Sequence, residues 1–261
     1  SCDETAAAIV NDRREILGDC VLTQLEHKIY GGVVPEIAAR SHLEHIDDIL
    51  EETFKRANLK PSDIDAVAAS SGPGLIGGVV IGVMAAKALA LALNKPFIAV
   101  NHLEGHALAA RLTNDVEYPY LLLLVSGGHC QILIVKGVGD FERLGTTIDD
   151  AAGEACDKFA KAAGLPYPGG ALLDALGRRG KADPHLFPRP YTHNDNLDFS
   201  FSGLKTAGAL WLSQHPEAHF PAGDTPAKER LHLASQKLCD AAASYLLAIA
   251  ETLTIKAGRA M

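Results

Sequence analysis

The sequence has no paired cysteines. Its five, Cys2, Cys20, Cys130, Cys156 and Cys239, are widely separated and odd in number, with no CxxC among them. That excludes a disulfide framework and a cysteine zinc site, and it fits a reducing, cytoplasmic setting. Positive charge is in deficit: the formal net charge is −8. Phosphate attraction needs a basic field, so indiscriminate nucleic-acid binding is excluded, though a local basic patch or a basic partner is not. Blocks of like charge and low-complexity runs are missing, which argues against disorder over most of the length. The opening SCDE brings no basic and apolar leader. The longest low-charge stretch, residues 64–86, is broken by glycines and a proline, so it reads as strand, loop and helix and no membrane span is expected. Neither common nucleotide signature occurs: the glycine-rich loop at 70–78 has no GK[ST] after it and does not match GxGxxG.

What is there is a globular composition. With 261 residues and 48% hydrophobic content, the chain can build one large core or two modest ones. Residues 6–10 and 18–24 read as a hairpin around a charged turn at 11–15, with Asp3 and Glu4 at a strand end or in a solvated terminus. Apolar residues recur at helical spacing from about 36 to 57, and His42 and His45 in that segment read as surface residues of an amphipathic helix. Residues 64–69 read as a short buried-type strand, and the loop at 70–78 leads into an alanine-rich helix at 79–93. Such a loop exposes N–H groups that favour anions, and it equally suits a tight turn with close helix packing.

The stretch NHLEGH at 101–106 follows a strand at 97–100 and places His102 and His106 four apart. On a helix, positions i and i+4 share a face, with Cβ atoms roughly 5–6 Å apart, so two imidazoles can converge on one ion. Zinc sites take three or four protein ligands, so a further group must come from elsewhere. The same spacing also suits a helix start whose histidines merely sit near the surface. Residues 120–125 form a nearly pure apolar run, read as a central strand, ending in Ser126-Gly127-Gly128 before a second strand at 130–135. That turn can wrap a phosphate, and a bare hairpin turn would look the same; His129 is a ligand contact or a plain strand residue. Asp149, Asp150, Glu154 and Asp157 gather at the start of a helix ending near 163, favouring its dipole and suited to a metal-bound or hydroxyl-bearing ligand. A glycine turn at 167–170 precedes a short helix. Residues 184–196 form a long loop, a helix follows 199–206, and a final helix runs from 228 to about 256. Hairpins and strands that end in glycine turns, once near Asp3 and Glu4 and again at 126–128, suggest by analogy the two-unit layout of the actin-like ATPases.

Taken together, SCDET at 1–5, GGVVPEIAARSH at 31–42, SGPGLIGG at 71–78, NHLEGH at 101–106, LLVSGGH at 123–129, DDAAGEACDK at 149–158, YPGG at 167–170 and DFSFSGLKTA at 198–207 resemble the TsaD family, the tRNA N6-adenosine threonylcarbamoyltransferases. The resemblance implies an α/β actin-like (ASKHA) fold of two similar subdomains, 1–117 with the histidine motif and 118–261, each with a mixed sheet flanked by helices around a cleft. It implies transfer of threonylcarbamoyl from threonylcarbamoyl-adenylate to N6 of adenosine 37 in tRNAs reading ANN codons, the t6A modification. On the matching positions, His102 and His106 bind one Fe2+ or Zn2+ ion. Leu124, Val125, Ser126, Gly127, Gly128, Asp157 and Gly170 hold the adenylate, with ATP or ADP as further candidates, and Asp3 and Glu4 are implicated in activity. The implied partners are tRNA and TsaB-like and TsaE-like subunits. Family members run longer at both ends, and the aspartate that completes their metal site has no counterpart here, so this chain alone is expected to bind metal poorly and not to complete a turnover. Two rivals remain: a metalloprotease and an inactive nucleotide-binding scaffold subunit. Against the first, zincins use H-E-x-x-H, whereas Glu104 lies at i+2, about 200° around the helix from His102.

Overall fold

The computed structural model describes residues 3–30 and 32–261, so Ser1 and Cys2 of SCDET and Gly31 of the second motif lie outside the described residues. The chain is α/β and divides into two compact units, Ser1–Val116 and Glu117–Met261.

The first unit opens with strands β1 (Glu4–Val10) and β2 (Ile16–Thr23), paired antiparallel from Glu4↔Thr23 to Val10↔Ile16. Their turn is built by Asn11, whose Oδ1 accepts from the N–H groups of Arg13 and Glu15, both at 3.0 Å, a local side-chain bond typical of turn asparagines. Helix α1 (Pro35–Ala57) starts with proline in its first turn, where the missing N–H costs nothing, and ends at Asn58 with φ 52°. It lies close against the hairpin because of Gly18: a Cβ there would stand 2.7 Å from Ala57 N and 2.8 Å from Thr53 O. Strands β3 (Val67–Ser70) and β4 (Phe97–Val100) then pair in parallel, joined by helix α2 (Ile76–Leu93). Close helix packing, the alternative offered for the glycine-rich loop, is seen at Gly77, where a Cβ would stand 3.0 Å from Ala39 Cβ, whereas the alanine-rich remainder of α2 buries only Ala86 and Ala90. Helices α3 (His102–Leu108) and α4 (Ala110–Thr113) complete the unit.

The second unit is led by an antiparallel sheet in the order β5 (Tyr120–Val125), β6 (Cys130–Gly137), β7 (Asp140–Thr146). Helices α5 (Ala152–Ala162), α6 (Gly170–Gly177), α7 (Ser202–Gln214), α8 (Ala227–Arg230) and α9 (Gln236–Ala260) follow. Its core centres on stacked Phe159 and Tyr245, ring centroids 4.2 Å apart, with Phe187 edge-on to both. Helix α7 reaches this stack through Gly208, where a Cβ would lie 2.6 Å from the Phe159 ring.

Four expectations need correction, and one strand has no sequence signal. His42 is buried, not on the surface of α1, because its ring hydrogen-bonds Thr5 and Gln24 from the hairpin side. The strand expected at 64–69 begins at Val67 and alternates between half-buried and exposed residues. Among the described residues β5 is an edge strand, with Leu121, Leu123 and Val125 exposed on one face; β6, with Cys130, Ile132 and Val135 fully buried, is the central one. Strand β7, whose DFERLGT is polar, carries no apolar run that would announce it. The last helix starts at Gln236, eight residues later than the periodicity suggests, since Ser235 caps it by accepting from Leu238 N at 3.2 Å. By length and composition alone α2 and α9 would each pass for a membrane span; half of the apolar stretch of α9 is buried, as in the core helix of a globular unit.

Candidate functional site

In the first unit, the carboxyl ends of the parallel strands β3 and β4 open onto a cavity of about 320 Å³ lined by Ser70, Asn101, His102, Gly105 and His106 among others. Ligands of open α/β sheets settle at this end of the strands. Asn101 caps α3, its Oδ1 accepting from Leu103 N at 2.9 Å and Glu104 N at 3.3 Å. The glycine-rich loop ties to the same corner: Ser71 N donates to Val100 O at 2.8 Å, and His102 N donates to Gly72 O at 2.7 Å, with Gly72 at φ 126°. The loop therefore serves as a tight turn that fixes the start of α3. With α3 so held, His102 and His106 stand one turn apart with Nε2 atoms 3.2 Å apart and rings edge to face. Two nitrogens on one tetrahedral ion at about 2.0–2.1 Å would be about 3.3 Å apart, so the pair fits two positions of a coordination sphere. Among the described residues no cluster of three or more metal-ligating side chains occurs.

Asp3 and Glu4 are not brought together. Glu4 is exposed opposite Thr23, accepting from its Oγ1 at 3.4 Å. Asp3 is half-buried, and its carbonyl accepts from Gln24 N at 2.8 Å.

In the second unit, the Ser126–Gly128 turn closes with Ser126 N donating to His129 O at 2.8 Å and His129 N donating to Ser126 Oγ at 3.0 Å. A Cβ at Gly127 or Gly128 would meet nothing within 4 Å, and their N–H groups make no bond among the described residues. Leu124 before the turn is buried and Val125 is exposed. The first turn of α5 packs directly on this loop: Gly153 N and Glu154 N donate to Ser126 O (3.3 Å) and Gly127 O (3.1 Å). Those two helix N–H groups are spent on the loop, which leaves the N–H groups of Gly127 and Gly128 as the open donors of this turn among the described residues. Asp157 lies one turn further along α5, and its Oδ1 accepts from Gly169 N and Gly170 N, both at 2.9 Å. This fastens the YPGG turn to α5 and leaves Oδ2 with no bond among the described residues. Leu124, Ser126–Gly128, Asp157 and Gly170 thus form one contiguous structure. Burial pushes the neighbouring Cys156 thiol up to about 11, so it is inert as a nucleophile at neutral pH.

Beside α5 lies a cluster the sequence reading did not assemble. Asp149 accepts from Phe201 N (2.8 Å), Ser202 N (3.3 Å), Ser200 Oγ (2.5 Å) and Ser202 Oγ (2.7 Å), capping α7. Asp150 binds Lys158 and Lys205, each at 2.6 Å. Burial works to raise both carboxyls, but these hydrogen bonds and cations prevail and hold each below the usual range. The signal was present in DFSFSGLKTA, but nothing local in that motif names an aspartate some 50 positions earlier as its partner.

A family profile described as "TsaD: tRNA N6-adenosine threonylcarbamoyltransferase" matches residues 15–261. The chain belongs to the TsaD family. It is 63% identical over 218 residues to a Paramagnetospirillum magneticum protein named tRNA N6-adenosine threonylcarbamoyltransferase, an alignment covering 83% of this chain and 63% of that one. It is 54% identical over 266 residues to the Rhizobium etli (strain CIAT 652) protein of the same name, covering all of this chain and 69% of that one. The matched region is therefore about two thirds of these TsaD relatives. Among solved structures, YeaZ from Pseudomonas aeruginosa matches 54% of this chain and 58% of its own, with TM-score 0.36 and 19% identity.

Proposed function

We propose that the chain is the larger part of a tRNA N6-adenosine threonylcarbamoyltransferase, moving threonylcarbamoyl from threonylcarbamoyl-adenylate to N6 of adenosine 37 in tRNAs reading ANN codons. The family match over residues 15–261 carries this reading. In the reaction the N6 amine attacks the carbamoyl carbon of the mixed anhydride, the bond from that carbon to the phosphate oxygen breaks, AMP leaves, and the amine gives up one proton.

The chain's residues suit these demands one by one. The N–H groups of Gly127 and Gly128 are open to the phosphate that departs with AMP, where fixed donors stabilise developing negative charge. Oδ2 of Asp157 is available to a ribose hydroxyl, and Gly170, bonded to the same carboxylate, admits close approach of the nucleoside. His102 and His106 would hold the Fe2+ or Zn2+ ion, which when bound polarises an oxygen of the acyl group. Asp3, on the half-buried side of the strand entrance, suits the role of proton acceptor better than the exposed Glu4, which pairs with Thr23. The fold we assign is the two-subdomain actin-like one, acting in the cytoplasm with tRNA and with TsaB-like and TsaE-like subunits. A protease reading loses support from α3 itself, where Glu104 follows the first histidine at i+2 on a seven-residue helix.

The test is mass spectrometry of tRNA incubated with synthetic threonylcarbamoyl-adenylate, TsaB-like and TsaE-like subunits and this chain extended to the length of its relatives, alongside elemental analysis of the protein and its His102→Ala variant. The expected result is modified adenosine 37, an ion in the parent and its loss in the variant. Unmodified tRNA with intact donor would overturn the proposal.

A further inference from the structure

The geometry points to His42 as a positioning residue for Asp3, acting through a one-way chain of hydrogen bonds buried in the first unit; this rests on the proposed role of Asp3. Thr5, Gln24, His27 and His42 are 3%, 4%, 1% and 7% exposed, four polar side chains enclosed together. Their polarity can be read from one end. Val34 N donates to His27 Nδ1 at 3.3 Å. A main-chain N–H can only donate, so His27 Nδ1 presents its lone pair and the ring proton sits on Nε2. Nε2 of His27 then donates to Gln24 Oε1 at 2.8 Å. That fixes the Gln24 amide, whose nitrogen faces the other way and donates to Ala38 O and to His42 Nδ1, both at 3.3 Å. His42 Nδ1 is therefore an acceptor, and its one lone pair is shared between the Gln24 amide and the Thr5 hydroxyl, which donates at the shorter distance of 2.8 Å. Both histidines are Nε2–H tautomers, and the direction of each of these bonds follows from the single backbone donor at Val34.

The chain ends at the entrance of β1. Gln24, its hub, donates its backbone N–H to Asp3 O at 2.8 Å, while Thr5, two residues after Asp3, is tied to His42. The main chain at Asp3 is thus tied to the hub of the network, and the strand that follows it is anchored two residues on, at Thr5. Helix α2 closes on the same imidazole: a Cβ at Gly78 would stand 3.1 Å from His42 Cδ2 and 3.2 Å from Nε2. Three of the motifs, SCDET, GGVVPEIAARSH and SGPGLIGG, meet on this ring. Buried networks of this kind specify one arrangement because any unpaired member is costly.

Two measurements test this. Long-range proton–nitrogen correlation on this chain should show the Nε2–H pattern for His27 and His42; an Nδ1–H pattern at either ring overturns the hydrogen-bond chain. In the extended protein, the isosteric Thr5→Val should lower kcat by about tenfold or more with KM for the adenylate donor little changed, as expected for misplacement of a catalytic group. Thr5→Ser should recover most of kcat, and unfolding midpoints taken in parallel separate misplacement from unfolding. A Thr5→Val enzyme that folds and turns over like the parent overturns the positioning role. If Asp3→Asn leaves kcat unchanged, the failure lies with the proposed role of Asp3, and the tautomer measurement still decides the network.

Discussion

Gly153 sets how closely α5 approaches the Ser126–Gly128 turn, since a Cβ there would lie 2.7 Å from Gly127 Cα. Backbone cannot yield as a flexible side chain can, so Gly153→Ala is expected to cost about 1–3 kcal/mol in urea unfolding and to weaken binding of AMP by calorimetry. Asp157 is a second such point. Each of its bonds to Gly169 N and Gly170 N joins a carboxylate to an amide, a type contributing about 1.5–3 kcal/mol. Asp157→Ala should free the YPGG turn and abolish measurable AMP binding, whereas Asp157→Asn, retaining an acceptor, should keep most of the stability. Equal stability for the alanine and parent proteins would remove Asp157 from this structural role.

At the scale of elements, the start of α7 is governed by Asp149. Its carboxyl titrates lower in the folded chain than the value of about 3.9 expected when unfolded. The sign follows: stability from this group is complete above the unfolded value and is lost as pH falls through the folded one. The slope of unfolding free energy against pH below about 4 should therefore be shallower in Asp149→Asn than in the parent. Helix α9 offers a plainer case: Ser235→Ala removes its cap and should cost about 0.5–2 kcal/mol by urea titration. What the sequence made legible, and what it hid, follows from separation along the chain. The hairpin, α1, β4 and the His102–His106 pair were readable because each is announced within its own stretch of sequence, by a charged turn, a helical period, an apolar run and an i,i+4 spacing. Asp149 finds Ser200 and Ser202 at separations of 51 and 53, and Thr5 finds His42 at 37; no local periodicity announces such pairs. The leucine run of β5 misled for a different reason. A continuous apolar run signals burial on both faces, but the exposed face of β5 keeps its leucines.

Across the whole molecule, burial is unequal. Among the described residues the buried apolar side chains of the first unit are Cys20, Ala38, Ile49, Ala86, Ala90 and Ala107, while the second buries Phe159, Phe199, Phe201, Tyr245 and many leucines. Apolar burial contributes about 25 cal/mol per Å², so small side chains leave the first unit the weaker of the two. Hydrogen exchange should find the slowest amides in β6, α5 and α9 and faster ones in β3, β4 and α2; equal protection would contradict this. Helix α2 sharpens the contrast, with Ile76, Val80, Met84 and Leu91 all exposed. Because a ribosome releases the N-terminal unit first, the nascent chain presents this greasy helix on a thin core while its sturdier half is still being made. Yield of soluble protein is therefore expected to fall as that interval lengthens, which expression with translation slowed past Val116, with and without added chaperone, would measure.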